Sequence, residues 1–158
     1  MCIVIDMNAM PSVFNPEVKD HPEFYPVKDW IYNGKGKMVY GGKTYSSQLA
    51  KLPRYMHLVV SLDRQRKVIK IDKTKVDQAE KVVLTAVRSY KCDDAHIIAI
   101  VGVSGCRLVC TKDDKSNVYI KDKRLYPKHT KTPKIYKGLR HAGLLNDRNI
   151  VTCRHTIC

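Results

Sequence analysis

The sequence has no run of about 18 apolar residues, the length a helix needs to cross a bilayer, so no membrane-spanning chain is expected. It opens Met1-Cys2-Ile3-Val4-Ile5-Asp6, without the basic start and small-residue cleavage site of a secretory signal, and a cytoplasmic protein is expected. It shows no internal repeat and no low-complexity linker, which excludes a solenoid or a string of tethered modules. No phosphate-cradling Walker loop is present. Gly102-Val-Ser104-Gly105 is one residue short of a serine-nucleophile elbow. The six histidines, at 21, 57, 96, 129, 141 and 155, show no paired metal-ligand spacing. Negative charge is also scarce. There are 15 acidic residues against 29 Lys plus Arg, and none falls between Asp29 and Asp63.

What is there is a chain of 158 residues, 44% of them hydrophobic, enough for one domain with a real core. The expected boundaries are a domain over residues 1–145 and a C-terminal tail over 146–158. The formal net charge of +14 attracts polyanions, because each phosphate neutralised by Lys or Arg releases a condensed counterion. The basic C-terminal third carries Lys121, Lys123, Arg124, Lys128, Lys131, Lys134, Lys137 and Arg140, with Tyr119, Tyr126 and Tyr136 interleaved. Cations that track a backbone and rings that offer stacking faces suit RNA as the partner; a solvated basic edge with half-buried tyrosines is the plainer alternative. Four of the six cysteines (2, 92, 106 and 110) lie in or beside apolar runs, where a thiol behaves as a small buried hydrophobe. Cys153, His155 and Cys158 offer three zinc-type ligands, but their spacing is not that of a metal knuckle and a free terminus is expected.

Hydropathy patterning predicts alternating strands and helices. Cys2–Ile5 reads as a buried strand that runs into Asp6. Prolines 11, 16, 22 and 26 argue against long helices over Met7–Pro26, with one short helix within 16–25. A strand is predicted over Met38–Tyr40, a helix over Lys43–Leu52, a mixed segment over Tyr55–Ser61 and a strand within Arg64–Asp72. Asp72–Tyr90 is the clearest helix, with Val76, Ala79, Val83, Ala86, Val87 and Tyr90 on one face. Asp93 and Asp94 open a helix over Ala95–Val103 that Ser104-Gly105 ends. Arg107–Thr111 is a strand that runs into Asp113 and Asp114, and Pro133–Lys137 a late edge strand. This order predicts an α/β fold, a three-layer α/β/α sandwich around a mostly parallel sheet.

Ligands of such sheets gather at the carboxyl ends of the strands. Asp6 and Asp113 both follow a predicted strand end, and Asp94 opens a helix, so the three are expected at one site. Clustered carboxylates repel one another unless a cation sits among them. Mg2+ and Mn2+ take such oxygen ligands, lower the pKa of a bound water and offset charge on a leaving phosphodiester oxygen. Taken singly, each acid is equally a turn, cap or loop residue. His96 falls inside the helix that Asp94 opens and reads as a packed or solvated side chain rather than one that faces phosphate.

Three patches resemble the PIN-domain nucleases. Ile3-Val-Ile-Asp6 is similar to the family's hydrophobic strand ending in its first catalytic Asp. Asp93-Asp94-Ala-His-Ile-Ile-Ala-Ile100 is similar to its helix-opening Asp, and Arg107-Leu-Val-Cys-Thr111-Lys-Asp113-Asp114 to its strand followed by Thr-x-Asp. The acids stand in the family's order, with gaps of 88 and 19 residues. The resemblance implies a PIN-like fold and RNA hydrolysis with Mg2+ or Mn2+. Asp6, Asp94 and Asp113 become metal ligands, Asp93 and Asp114 supporting neighbours, and Thr111 a positioning hydroxyl. It further implies a toxin or phage-defence role, with an antitoxin, a larger defence complex or a second copy of the chain as protein partner. One departure stands out: the family's Glu, some forty residues after the first Asp, is matched here by Gln48. An amide lacks the charge that holds a cation. Gln48 is then an engineered replacement that disables a toxic nuclease, which is favoured, a natural loss that leaves an RNA-binding relic, or a residue out of register with the family's. The expected activity is an endoribonuclease impaired by Gln48. A catalytically silent RNA-binding module is the alternative, and a flap-type DNA nuclease is disfavoured by the short chain.

Overall fold

A computed structural model of the chain describes residues 2–87 and 92–146. Its centre is a five-stranded sheet made of β1 (Cys2–Ile5), β2 (Lys37–Gly41), β3 (Val68–Ile71), β4 (Leu108–Cys110) and β5 (Lys134–Tyr136). Their spatial order is β3-β2-β1-β4-β5 and every pairing is parallel. Parallel sheets need helical crossovers that cover the strands, and the central strands here are correspondingly apolar throughout: Ile3, Val4 and Ile5 are wholly buried. The predicted α/β class with a largely parallel sheet is what the fold shows, and its layering is that of a three-layer α/β/α protein.

The connections follow from this order. Between β1 and β2 lie α1 (Met10–Phe14) and α2 (His21–Tyr32), and between β2 and β3 lie α3 (Lys43–Ala50) and α4 (Pro53–Arg64). The chain then reverses direction across the sheet. It passes from β3 through α5 (Lys73–Val87) and α6 (Ala95–Ser104) to β4, beside β1. Right-handed crossovers place connections that run in opposite directions on opposite faces. The final crossover holds α7 (Asn117–Ile120) and a 3-10 turn over Lys123–Leu125, and a second 3-10 segment, Leu139–Leu144, follows β5.

Two expectations drawn from proline are corrected. The segment after Asp6 carries a twelve-residue helix, α2, despite Pro26 in its interior. Pro22 stands at the start of that helix, where the missing N–H costs nothing. Burial of Phe24, Val27, Trp30 and Ile31 outweighs the one internal bond lost at Pro26. The Tyr55–Ser61 stretch is likewise no mixed segment but the middle of α4, which Pro53 begins and which buries Tyr55, Val59 and Leu62 at helical spacing. Within α5 the buried face is narrower than predicted. Val76 and Val83 are buried, Ala79 and Val87 half-buried and Ala86 exposed, while Tyr90 lies outside the described residues. The strand and helix endings at Gly41 and Gly105 agree with the sequence, with Gly105 in the left-handed conformation that closes α6. Cys92, Cys106 and Cys110 are buried thiols, as their apolar settings imply, whereas Cys2 is buried but disulfide-bonded, which corrects the expectation of a thiol there. The tail over 146–158, with Cys153, His155 and Cys158, lies outside the described residues except for Asn146.

The helix α6 is apolar all round and buried on nearly every side, wedged among α5, α7 and the sheet. The start of α3 is held by α5. Gly42, the residue before α3, has no side chain to cap it, and the Lys43 amide donates instead to Asp77 Oδ1 at 2.6 Å while Thr44 Oγ1 donates to Glu80 at 2.9 Å. Gly42 has φ 81° and ψ 162°, a region open essentially to glycine alone. A Cβ there would stand 2.5 Å from Val76 Cγ1. Gly42→Ala is therefore expected to destabilise the fold by about 2–3 kcal/mol, combining backbone strain with overpacking, as read by urea unfolding.

Candidate metal centre

The register of β1 against β4 builds the site. Val4 pairs with Val109 and Ile5 with Cys110. The next residues, Asp6 and Thr111, therefore leave the sheet side by side, and the Asp6 amide still donates to the Cys110 carbonyl at 2.9 Å. Partners in register direct their side chains to the same face. Accordingly Thr111 Oγ1 donates to Asp6 Oδ2 at 2.8 Å, with both residues buried. This is also where the strand order reverses, between the first strand and the fourth. Open α/β sheets place their ligand crevice at the carboxyl ends of the strands at such a point.

A chain of hydrogen bonds runs outward from that pair. Asn8 Nδ2 donates to Asp6 Oδ2 at 2.8 Å, while Asn8 Oδ1 accepts from the Lys112 amide at 3.1 Å, which clamps the two strand-end loops together. The Asp113 amide donates to Thr111 Oγ1 at 3.1 Å. Ser116 Oγ donates to Asp113 Oδ2 at 2.9 Å and also lies within bonding reach of Asp94 Oδ2. The three acids singled out in the sequence are thus joined through Thr111 and Ser116. Asp94 stands at the cap position of α6 but does not cap it; its carboxylate turns to Ser116 instead. Ser116 has one proton for two carboxylates, so one acceptor is always left without it. No Lys or Arg pairs with Asp6, Asp94 or Asp113 among the described residues. A chain of net charge +14 thus gathers three carboxylates that form no ion pair with Lys or Arg among the described residues.

His96, in the first turn of α6, completes the pocket. It is 1% exposed, and neither ring nitrogen has a hydrogen-bond partner. One ligand atom each from Asp6, Asp94 and His96 lies within 4.8 Å of the other two. The sequence offered His96 only as a packed or solvated side chain. It is packed, and the residues it meets are acids. Its position two residues after Asp94 was the available signal. A helix interior would splay such a pair apart, but Asp94 precedes the helix proper and is free of its periodicity. Tyr45 is a second residue that sequence reasoning did not single out. Wholly buried on α3, it donates from its hydroxyl to the Ile5 carbonyl at 2.6 Å, and its ring lies 6.3 Å from that of His96. Tyr45 thereby braces the end of β1 from α3.

The remaining predicted residues divide. Gln48 lies one turn beyond Tyr45 on α3, half-buried, and its side chain makes no hydrogen bond to the acids. Asp93 is exposed. Asp114 points away to an ion pair with Lys137 and accepts from Asn117 Nδ2 at 3.3 Å. Among the basic residues, Arg124 is spent on Asp122 at 2.7 Å, whereas Lys121, Lys123, Lys128, Lys131 and Lys134 are exposed. Lys137 and Arg140 line a cleft of about 340 Å³ with Asp20, Glu23, Phe24, Thr111, Lys112 and Asp114. Lys112 was not singled out as a cation of interest; in the cleft it pairs with Asp20 at 2.5 Å. The cleft shares Thr111 with the acid pocket.

The electrostatics follow from burial. Desolvation raises the Asp6 carboxyl above its ordinary value and Asp94 raises it further; the Thr111 hydroxyl, His96 and Asn8 oppose this. Asp113, near the surface, is held below the ordinary value by the Lys115 amide and the Ser116 hydroxyl, so it stays ionised. Burial pushes the Tyr45 phenol and the Cys110 thiol up, so both stay protonated. The donor set of carboxylate oxygens and one unpartnered imidazole fits a divalent cation. No protein-family model, no curated protein and no solved structure matches the chain.

The raised Asp6 carboxyl has a signed consequence. Without a cation the folded state holds a proton that the unfolded chain releases at about pH 3.9. Stability is therefore lost as pH rises from there through the folded value. Asp113 acts in the opposite sense, contributing stability at higher pH that is lost as pH falls through its depressed value. Asp6→Asn should remove the first effect. We expect the metal-free variant to be more stable than the parent at neutral pH by about 0.5–2 kcal/mol, the usual gain when a strained functional charge is neutralised. Urea melts between roughly pH 4 and 8 test this; equal stability at all pH values would mean that Asp6 carries no such penalty.

Proposed function

We propose that the chain is a metal-dependent endoribonuclease of the PIN type. One observation carries this: carboxylates from the ends of β1 and β4 and the opening of α6 converge at the sheet's reversal point, bound in one network and, among the described residues, paired with no Lys or Arg. Such a cluster is costly to fold and gains a purpose when it holds a divalent cation, Mg2+ or Mn2+. The resemblance of the three acidic patches to PIN nucleases supports the same reading. When bound, the cation supplies Lewis acidity toward a phosphodiester and the water that attacks it.

The residues around it have distinct tasks. Asp6 and Asp94 hold the cation. Thr111 and Asn8 fix the Asp6 carboxylate through Oδ2, which leaves its other oxygen uncommitted. Asp113 stays ionised at the rim, where a carboxylate orients a water and accepts its proton. The cleft that begins at Thr111 receives the RNA backbone. Lys112 and Lys137 exchange their acidic partners for phosphates there, and Arg140, exposed and without an acid partner among the described residues, meets a phosphate directly. Gln48 stands where the family has a fourth carboxylate, and activity is impaired to the extent that the site needs that charge. A toxin or defence role, with an antitoxin-type partner, is the setting that the family resemblance suggests.

Cleavage of a mixed RNA pool, with Mn2+ or with EDTA, tests the proposal on the chain, Asp94→Asn and Gln48→Glu. Metal-dependent cutting that rises in Gln48→Glu and is lost in Asp94→Asn is the expected outcome. No cutting by any version, with RNA binding intact, identifies a silent RNA-binding module instead. Arg140→Ala should weaken RNA binding and reduce the slope of log affinity against log salt by about 0.7, the value for one phosphate contact on a single strand.

A further inference from the structure

The chain departs from a purely carboxylate site at two places, and together they point to the ligand set. Residue 48 is an amide, and the α3 side chain that reaches the pocket is Tyr45, whose hydroxyl is committed to the Ile5 carbonyl. On the other side of the pocket a histidine, 1% exposed, has two ring nitrogens with no partner. Buried polar atoms in folded proteins are nearly always satisfied, and each exception calls for a cause. His96 lies in a helix otherwise made of Ala, Ile, Val, Gly and Ser, so an apolar residue would have filled its place without that cost. What the imidazole meets is Asp6 and Asp94, with the three ligand atoms within 4.8 Å of one another.

The separation fits one ion. Donors about 2.1 Å from a shared cation stand about 3.0 Å apart when adjacent and about 4.2 Å when opposite. Closing 4.8 Å to that range is a contraction of about 0.6–1.8 Å per pair, which rotation of the three side chains supplies. We propose that Asp6, Asp94 and His96 form a mixed carboxylate–imidazole seat for a transition-metal dication, selective against Mg2+. Resting on the reading that these acids hold a cation, this adds the ligand that sets its identity. Mg2+ demands near-ideal oxygen octahedra and keeps its waters, whereas imidazole suits the borderline first-row ions. The seat does not include residue 48. Asp113 remains outside it, linked through Ser116, in a place to act on water rather than on the ion.

Mn2+ binding to the full chain, read by electron paramagnetic resonance without any RNA, tests the seat. The parent should bind Mn2+, and Mg2+ should displace it only in large excess. Pulsed measurements should show hyperfine coupling to an imidazole nitrogen. His96→Gln, with folding checked by circular dichroism, should lose that coupling and bind at least about tenfold more weakly, as expected for disturbed metal ligation. Gln48→Glu should leave the nitrogen coupling in place. Mn2+ bound by the parent without nitrogen coupling, or bound equally well in His96→Gln but lost in Asp94→Asn, would overturn the mixed seat and leave an all-oxygen cation site. Absence of Mn2+ binding to the parent at millimolar metal would overturn both the seat and the cation site on which it rests. If His96→Gln fails to fold, the nitrogen coupling of the parent decides alone.

Discussion

The hydrogen bond from Thr111 to Asp6 is the constraint around which the site is arranged. It exists because β1 and β4, far apart in the chain, are neighbours in parallel register, with Ile5 opposite Cys110. A slip of one residue would turn Asp6 and Thr111 to opposite faces and dissolve the pocket. Ile3, Val4, Ile5, Val109 and Cys110 are wholly enclosed. The Asn8 clamp on the Lys112 amide and the Tyr45 hydroxyl on the Ile5 carbonyl then secure both strand ends after the ladder stops.

From this pair outward the structure trades stability for an acidic pocket. Desolvation and the neighbouring Asp94 oppose ionisation of Asp6, and an unpartnered histidine is buried against the two acids. The surrounding fold offsets that cost with an apolar helix, α6, whose burial is nearly complete, and with strands β1 and β4, which are buried throughout. Concentrating unfavourable groups at one point while every other local choice agrees with the fold is the pattern expected of a working site.

The positive charge is distributed by a different logic. Much of it lies on the last crossover and around β5, on the same side of the sheet order as β4. Several cations are already balanced, Arg124 by Asp122, Lys112 by Asp20 and Lys137 by Asp114. The cleft beside Thr111 thus holds two ion pairs and Arg140, which has no acidic partner among the described residues. Under the proposed function these lysines, ordered beforehand by their acids, would exchange them for phosphates.

The strands, the α5 and α6 helices and the three acids were legible in the sequence because each rests on a local signal. Periodicity marks a buried face, a β-branched run marks a strand, and an acid after such a run marks a strand end. Proline misled over residues 10–26 and 53–64, since its cost depends on where in a helix it falls and on how much the helix buries. Val59 and Leu62 carried the helical spacing of α4 in plain view. What the sequence by itself determined is the α/β class, which follows from neighbours along the chain; it marked Asp6, Asp94 and Asp113 as candidates, and the structure joins them in one hydrogen-bond network. Tertiary structure alone decided that β4 lies against β1, that Ser116 joins Asp94 to Asp113, that Tyr45 rather than Gln48 reaches the site from α3, and that His96 faces the acids. Most of those contacts span tens of residues, and their geometry is set by strand order and register; only the closeness of His96 to Asp94 and of Ser116 to Asp113 left a local trace in the sequence.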